Sequence, residues 1–281
     1  MGHVTKYLEA ETLTAEGANG VSYAYRRPGP ASGRPLVLLQ HFRGNLENWD
    51  PLLIDALSSR DVIVFDNTGV GATTGATPTT VAQMADDAIV FLEALGLDHV
   101  DLLGFSIGSF VAQEIVLTRA ALVGKMVLAS TAPQGAPGMH GWAPGVIGAV
   151  GNPRNSPEQY LKVFFSSSPS SRRAGQEVLG RLQDRTEDRD APTTWATREA
   201  QYDAVCAWGI PDHALLQRLS CLEMPVLVAN GDSDPMILPH YTYLLGGLIP
   251  QARVKIYPDS AHGFLFQHHA EFAADVEAFL R

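Results

Sequence analysis

A series of short apolar runs, separated by longer helical patterns, leaves few folds open to this chain. Leu36-Val37-Leu38-Leu39-Gln40 and Val62-Ile63-Val64-Phe65 are continuously apolar, as strands covered on both faces must be. Val100–Phe105, Lys125–Ala129, Val226–Asn230 and Arg253–Tyr257 extend the series. The clearest helical pattern lies between two of these runs, from Thr79 to Leu95. There Val81, Met84, Ala85, Ala88, Ile89, Leu92 and Leu95 recur at three- and four-residue steps, with Thr80 placed to cap the start and Gly96 to end it. Strand, helix, strand repeated in this way predicts an α/β fold: a mostly parallel central sheet flanked by helices. The first thirty residues differ, with Tyr7 to Leu13 and Val21 to Arg26 expected as an antiparallel pair at one edge.

From Pro133 to Leu219 the alternation stops. No strand pattern is present, Gly, Pro, Ser and Arg accumulate, and helical patches occur around Glu158–Phe165 and Arg172–Leu182. The expected organisation is a core formed by residues 1–132 and 220–281, with a helical cap inserted over 133–219. Insertions of this kind lie over the ends of a sheet and shape a pocket.

Composition narrows the partners. Of 281 residues, 20 are Lys or Arg and 30 are Asp or Glu, giving a net charge of −10. That sign argues against nucleic acid or an anionic membrane surface, both of which need a basic face. No apolar run approaches the roughly 18 residues of a membrane span, and the N-terminus lacks the basic-then-apolar order of a secretory signal. Cys206 and Cys221 form neither a disulfide framework nor a zinc cluster, so a reducing, cytoplasmic setting is expected.

The sharpest local feature is Gly104-Phe105-Ser106-Ile107-Gly108, placed after the third apolar run and before a helical stretch. A serine on a tight strand-to-helix turn projects its hydroxyl away from the sheet, and glycines two residues either side relieve the crowding. The following helix aims its first N–H groups at the same point. A serine hydroxyl needs a base, and the base needs an orienting acid. In an open parallel sheet both belong on loops after later strands. His262, after the last run, is the candidate base, and Asp232 or Asp234, after the fifth, the candidate acid, with Asp234 preferred.

These segments resemble the α/β-hydrolase fold superfamily, and within it the cofactor-free haloperoxidase and serine esterase branch. The resemblance is carried by Gln40-His41-Phe42-Arg43-Gly44, Asp66-Asn67-Thr68-Gly69-Val70-Gly71, the serine turn, Gly231-Asp232-Ser233-Asp234 and Ala261-His262-Gly263. It implies the α/β-hydrolase fold, a Ser106–His262–Asp234 triad in the order Ser, Asp, His, and an oxyanion hole. One oxyanion donor is then the Ile107 N–H. The family's second donor is the third residue of His-Gly-aromatic. Aligning His41 with that histidine puts Phe42 in the glycine's place and makes Arg43 the donor, with Phe42 as the alternative. The Arg43 side chain either pairs with a surface carboxylate or turns inward to a polar group of the substrate.

The expected activity is that of a serine hydrolase cleaving a carboxylic ester, lactone or thioester through an acyl-enzyme. C–C bond hydrolysis, cofactor-free perhydrolysis and a ligand-binding receptor with negligible turnover are the alternatives. No cofactor or metal is implied: His262, His268 and His269 lack a further ligand at zinc spacing, and Gly69, Gly71 and Gly75 miss the dinucleotide fingerprint by one position. Phe105 and Phe264, beside nucleophile and base, and Trp142 and Trp208, in the insertion, are the candidate substrate contacts. With Met139, Phe164, Trp195 and Tyr202 they suggest an apolar small-molecule substrate. A homodimer is the base-rate expectation.

Overall fold

The structure, a computed structural model, describes residues 5–152 and 156–281. Among them eight strands form one sheet: β1 (Leu13–Glu16), β2 (Ser22–Arg26), β3 (Leu36–Leu39), β4 (Val62–Phe65), β5 (Val100–Phe105), β6 (Val123–Ala129), β7 (Val226–Gly231) and β8 (Ala252–Tyr257). Their spatial order is β1-β2-β4-β3-β5-β6-β7-β8. β1 and β2, and β2 and β4, pair antiparallel, and every other pair is parallel.

The continuous apolar runs became fully buried strands, because helices cover both faces. Every residue of β3, β4, β5 and β7 is buried. On one side lie α1 (Pro51–Leu57), started by an Asp50 cap, and α11 (His269–Leu280), which packs against it. α2 (Val81–Ala94) and α3 (Ile107–Thr118) pack on each other. The expected cap is present: Thr80 Oγ1 accepts the Gln83 N–H at 3.2 Å. The buried face of α2 includes Val81, Met84, Ala88, Ile89 and Leu92, each worth roughly 1–3 kcal/mol of apolar burial.

One expectation needs correction. Tyr7 to Leu13 is not a strand. A short 3₁₀ turn occupies Tyr7–Glu9, the pairing strand begins at Leu13, and the buried Tyr7 hydroxyl donates to the Leu46 carbonyl at 2.5 Å. A polar bond at the end of an aromatic ring thus took a residue that β-propensity would give to a strand. β8 is an edge strand with only Tyr257 buried, which explains its charged Arg253 and Lys255.

Between β6 and β7 run α4 (Pro144–Val150), α5 (Pro157–Phe164), α6 (Pro169–Arg181), α7 (Trp195–Trp208) and α8 (His213–Gln217), with no strand among the described residues. Ser156 caps α5 in a reciprocal box with Gln159. α9 (His240–Leu248) follows β7, and α10 (Phe264–Gln267) follows β8.

The functionally important relationship is that β3 lies between β4 and β5. Chain direction across the sheet reverses there, and such a point leaves a crevice beyond the carboxyl ends of the strands. The loop after β3 and the turn after β5 both open onto it.

Candidate active site

Ser106 occupies the turn between β5 and α3 with φ 57° and ψ −123°, a left-handed conformation that a non-glycine residue holds only under constraint. The constraint is visible. The Ser106 N–H donates to the Ala129 carbonyl at 2.9 Å, tying the turn to the end of β6. A Cβ on Gly104 would lie 2.5 Å from the Gly108 carbonyl oxygen, and one on Gly108 only 2.1 Å from that of Leu39. The two glycines therefore let the turn close and let it touch β3.

His262 reaches this serine from the loop after β8, its Nε2 2.9 Å from Ser106 Oγ. Its Nδ1 lies 2.8 Å from Asp234 Oδ2. The carboxylate partner fixes the tautomer: Nδ1 donates, and Nε2 is left to accept from the hydroxyl. Asp234 Oδ1 accepts the N–H groups of Met236 and Ile237 at 2.8 and 3.0 Å. All three side chains are buried, with Asp234 fully enclosed. The loop bearing His262 is held from both sides. Ser130 Oγ lies 3.0 Å from the His262 carbonyl, while the N–H groups of His262 and Gly263 donate to the Val163 and Phe164 carbonyls of α5 at 3.3 and 2.8 Å.

Asp232, the other acid considered, does different work. Exposed at the end of β7, it accepts the Asp259 and Ser260 N–H groups at 2.9 and 3.2 Å and so clamps two loops together.

The loop after β3 corrects the expected oxyanion donor. The Arg43 N–H donates to Gln201 Oε1 of α7 at 2.6 Å, and Arg43 sits at φ 61°. That amide is taken. The Phe42 N–H has no acceptor among the described residues. Gln40 braces the turn, its Oε1 accepting the His41 N–H at 2.8 Å and its Nε2 donating to the Asn45 carbonyl at 3.0 Å. Of the two expected donors, Phe42 is therefore the one whose N–H stays available. Ile107 is the first residue of α3, where a helix leaves its N–H without an intrahelical acceptor.

The Arg43 side chain is buried and lines the same cleft as His41 and Phe42, which fits the inward of its two expected placements. It donates to the Asn152 carbonyl at 2.8 Å and approaches that of Val150 at 3.5 Å, at the carboxyl end of α4, where a cation is favoured. Burial, then the nearby Arg198, lower its pKa.

None of the four expected substrate contacts lines the cleft beside the triad. Phe105 is fully buried as a floor, its ring centroid 5.2 Å from both His262 and His41. Phe264 stacks on Tyr257 at 4.9 Å in the core. Trp208 stacks on Phe110 at 5.1 Å and donates to the Ala132 carbonyl, fastening α7 to α3. Trp142 stands behind Phe42, edge-on at 5.1 Å. The lining comes instead from His41, Phe42, Asn48, Tyr160, Phe164 and Met236. Tyr160 and Phe164, four apart on α5, share a face and stack at 4.1 Å, and Phe164 meets the His262 ring edge-on at 5.4 Å. That helical spacing was the available signal for the pair.

Both cysteines are free. Among the described residues no group of three or more His, Cys, Asp or Glu is arranged to hold a metal, and no helix is long and apolar enough to cross a membrane. His268 Nε2 lies 3.1 Å from the Pro258 carbonyl, away from His262's partners.

Residues 34–269 match the family described as alpha/beta hydrolase fold. The chain is similar to an alpha/beta hydrolase fold protein from Chitinophaga pinensis, with 38% identity over 98% of this chain and 99% of that one and a TM-score of 0.92. An enol-lactonase from Burkholderia xenovorans shares the fold at 20% identity and a TM-score of 0.78, over 95% of this chain and 99% of that one. A Mycobacterium tuberculosis protein named as the non-heme bromoperoxidase BpoC is 32% identical over 113 residues, 40% of this chain and 42% of that protein. The first curated relatives are thus matched over about two-fifths of their own length. Sheet order, serine turn and family match agree, and the chain belongs to the alpha/beta hydrolase fold family.

Proposed function

We propose that the protein is a serine hydrolase that cleaves a carboxylic ester, lactone or thioester of an apolar small molecule. The carrying observation is the continuous hydrogen-bonded chain from Ser106 Oγ through His262 to Asp234, anchored on a strained turn. Ser106 Oγ attacks the carbonyl carbon while His262 Nε2 takes its proton and passes it to the leaving group. Asp234 Oδ2 holds the Nδ1 proton and stabilises the imidazolium. The N–H groups of Phe42 and Ile107 receive the oxyanion, each worth about 3–4 kcal/mol at the transition state. Water then attacks the acyl-enzyme with His262 as base, restoring Ser106. The mechanism requires no cofactor. The residues between β6 and β7 act as a cap whose Tyr160 and Phe164 provide an apolar wall. Two free thiols fit a cytoplasmic setting.

Intact-mass measurement after fluorophosphonate treatment tests this. One adduct on the parent and none on Ser106→Ala is expected, and an unlabelled, folded parent overturns the reading. The bromoperoxidase-named relative favours one other use of the same triad, peracid formation from a carboxylate and peroxide. Acetate-dependent bromide oxidation at a rate exceeding ester hydrolysis would put that reading first.

A further inference from the structure

The cleft lining includes two buried, unpartnered polar atoms that the proposed mechanism leaves unused. His41 is 5% exposed and lines the cleft, its ring between Phe105 and Phe164. Its Nδ1 lies 2.9 Å from the Phe42 carbonyl oxygen, which only accepts, so Nδ1 holds the proton of the neutral ring. Burial pushes the His41 pKa down to about 3, so the ring stays neutral throughout the physiological range. Nε2 is then a bare lone pair, buried and without a hydrogen-bond partner among the described residues. The second atom is the Tyr160 hydroxyl, which lines the same cleft and is likewise buried and unpartnered. Burial raises its pKa, so it remains a donor at neutral pH.

Buried polar atoms are ordinarily satisfied, and leaving one unmade costs as much as a hydrogen bond is worth. An orphaned acceptor and an orphaned donor lining one cleft, next to the Phe164 ring that meets His262, describe what the occupant must bring. We propose that His41 Nε2 and Tyr160 Oη form a polar subsite for a hydroxyl carried on the substrate within a few atoms of the scissile carbonyl, so that the enzyme is selective for hydroxyacyl esters. A hydroxyl donates one hydrogen bond and accepts others, which matches an acceptor and a donor lining one cleft. The inference rests on the serine hydrolase reading and narrows its substrate class.

The test compares kcat/KM for a short unsubstituted acyl ester with those for esters bearing a hydroxyl at C2, C3 or C4 of the same acyl chain. In the parent, one hydroxy ester should exceed the unsubstituted ester by about tenfold to hundredfold, the usual consequence of filling a buried orphan. Tyr160→Phe, which removes a single oxygen, and His41→Phe should bring that ratio to within about threefold of unity. If the parent is labelled by fluorophosphonate yet prefers none of the hydroxy esters, the subsite is overturned while the serine hydrolase reading stands. An undiminished ratio in Tyr160→Phe also overturns it. A parent with neither adduct nor turnover sinks the underlying reading, and the subsite with it.

Discussion

Gln201 Oε1 accepts the backbone N–H of Arg43 at 2.6 Å, joining α7 to the loop after β3 across 158 positions of sequence. The bond holds a non-glycine residue at φ 61° next to the candidate oxyanion donor Phe42. Gln201→Ala removes the acceptor and leaves that buried N–H unsatisfied, at a cost of about 1–3 kcal/mol. Urea unfolding should show the loss, and kcat should fall with little change in KM, since the donor serves the transition state. Unaltered stability and kcat together would refute this.

Asp234→Asn should lower kcat by roughly 10⁴, because an amide no longer enforces the Nδ1–H tautomer of His262. Asp232→Asn should change kcat by less than about threefold, as its exposed carboxylate accepts loop N–H groups and the Ser233 hydroxyl rather than His262. Steady-state kinetics on any turned-over ester decides between the two acids. A larger loss at position 232 would reverse the assignment.

Gly108→Ala puts a methyl 2.1 Å from the Leu39 carbonyl oxygen, where backbone rather than a pliable side chain must yield. A destabilisation of about 2–3 kcal/mol or more is expected. Thermal unfolding checks it, and a Tm equal to the parent's would show that the turn and β3 are not in contact.

Asp66, buried at the end of β4, faces Asp190, and the pair meet where a Cβ on Gly71 would lie 2.1 Å from Asp66 Oδ2 and 3.0 Å from Asp190 Cγ. Burial, then the charge of Asp190, holds the Asp66 carboxyl well above its usual 3.8. The folded chain therefore binds this proton more tightly than the unfolded chain. Below the usual value both states are protonated and nothing is lost. As pH rises through the window up to the raised value, stability falls by as much as about 1.4 kcal/mol per pH unit. Asp66→Asn reduces that slope, leaving what burial of Asp190 contributes, and its advantage over the parent in urea midpoint should be larger at about pH 7.5 than at about pH 4.5. An equal difference at both would contradict it.

The sequence disclosed those parts whose causes are local. Val62–Phe65 is a strand with the expected ends because four apolar residues in a row fit only a doubly covered strand. Thr80 caps its helix through its own hydroxyl. Gly104 and Gly108 flank a serine that needs them both, and their spacing can be read without a structure. The choice between Phe42 and Arg43 depended on Gln201, which no motif connects to that loop. Phe105, Phe264 and Trp208 lie outside the cleft lining because position in sequence does not fix the face a side chain takes, and all three are buried in aromatic packing. The lining pair Tyr160 and Phe164 lay in a helix recognisable by period, but only packing shows which stripe faces the nucleophile.

The carbonyl ends of Val163 and Phe164 seat the loop of His262, so cover and base are mechanically one piece. Any movement of α5 would pull on the loop that holds His262 against Ser106. The wall that would face a substrate and the loop that would deprotonate Ser106 are thus set by the same two backbone bonds.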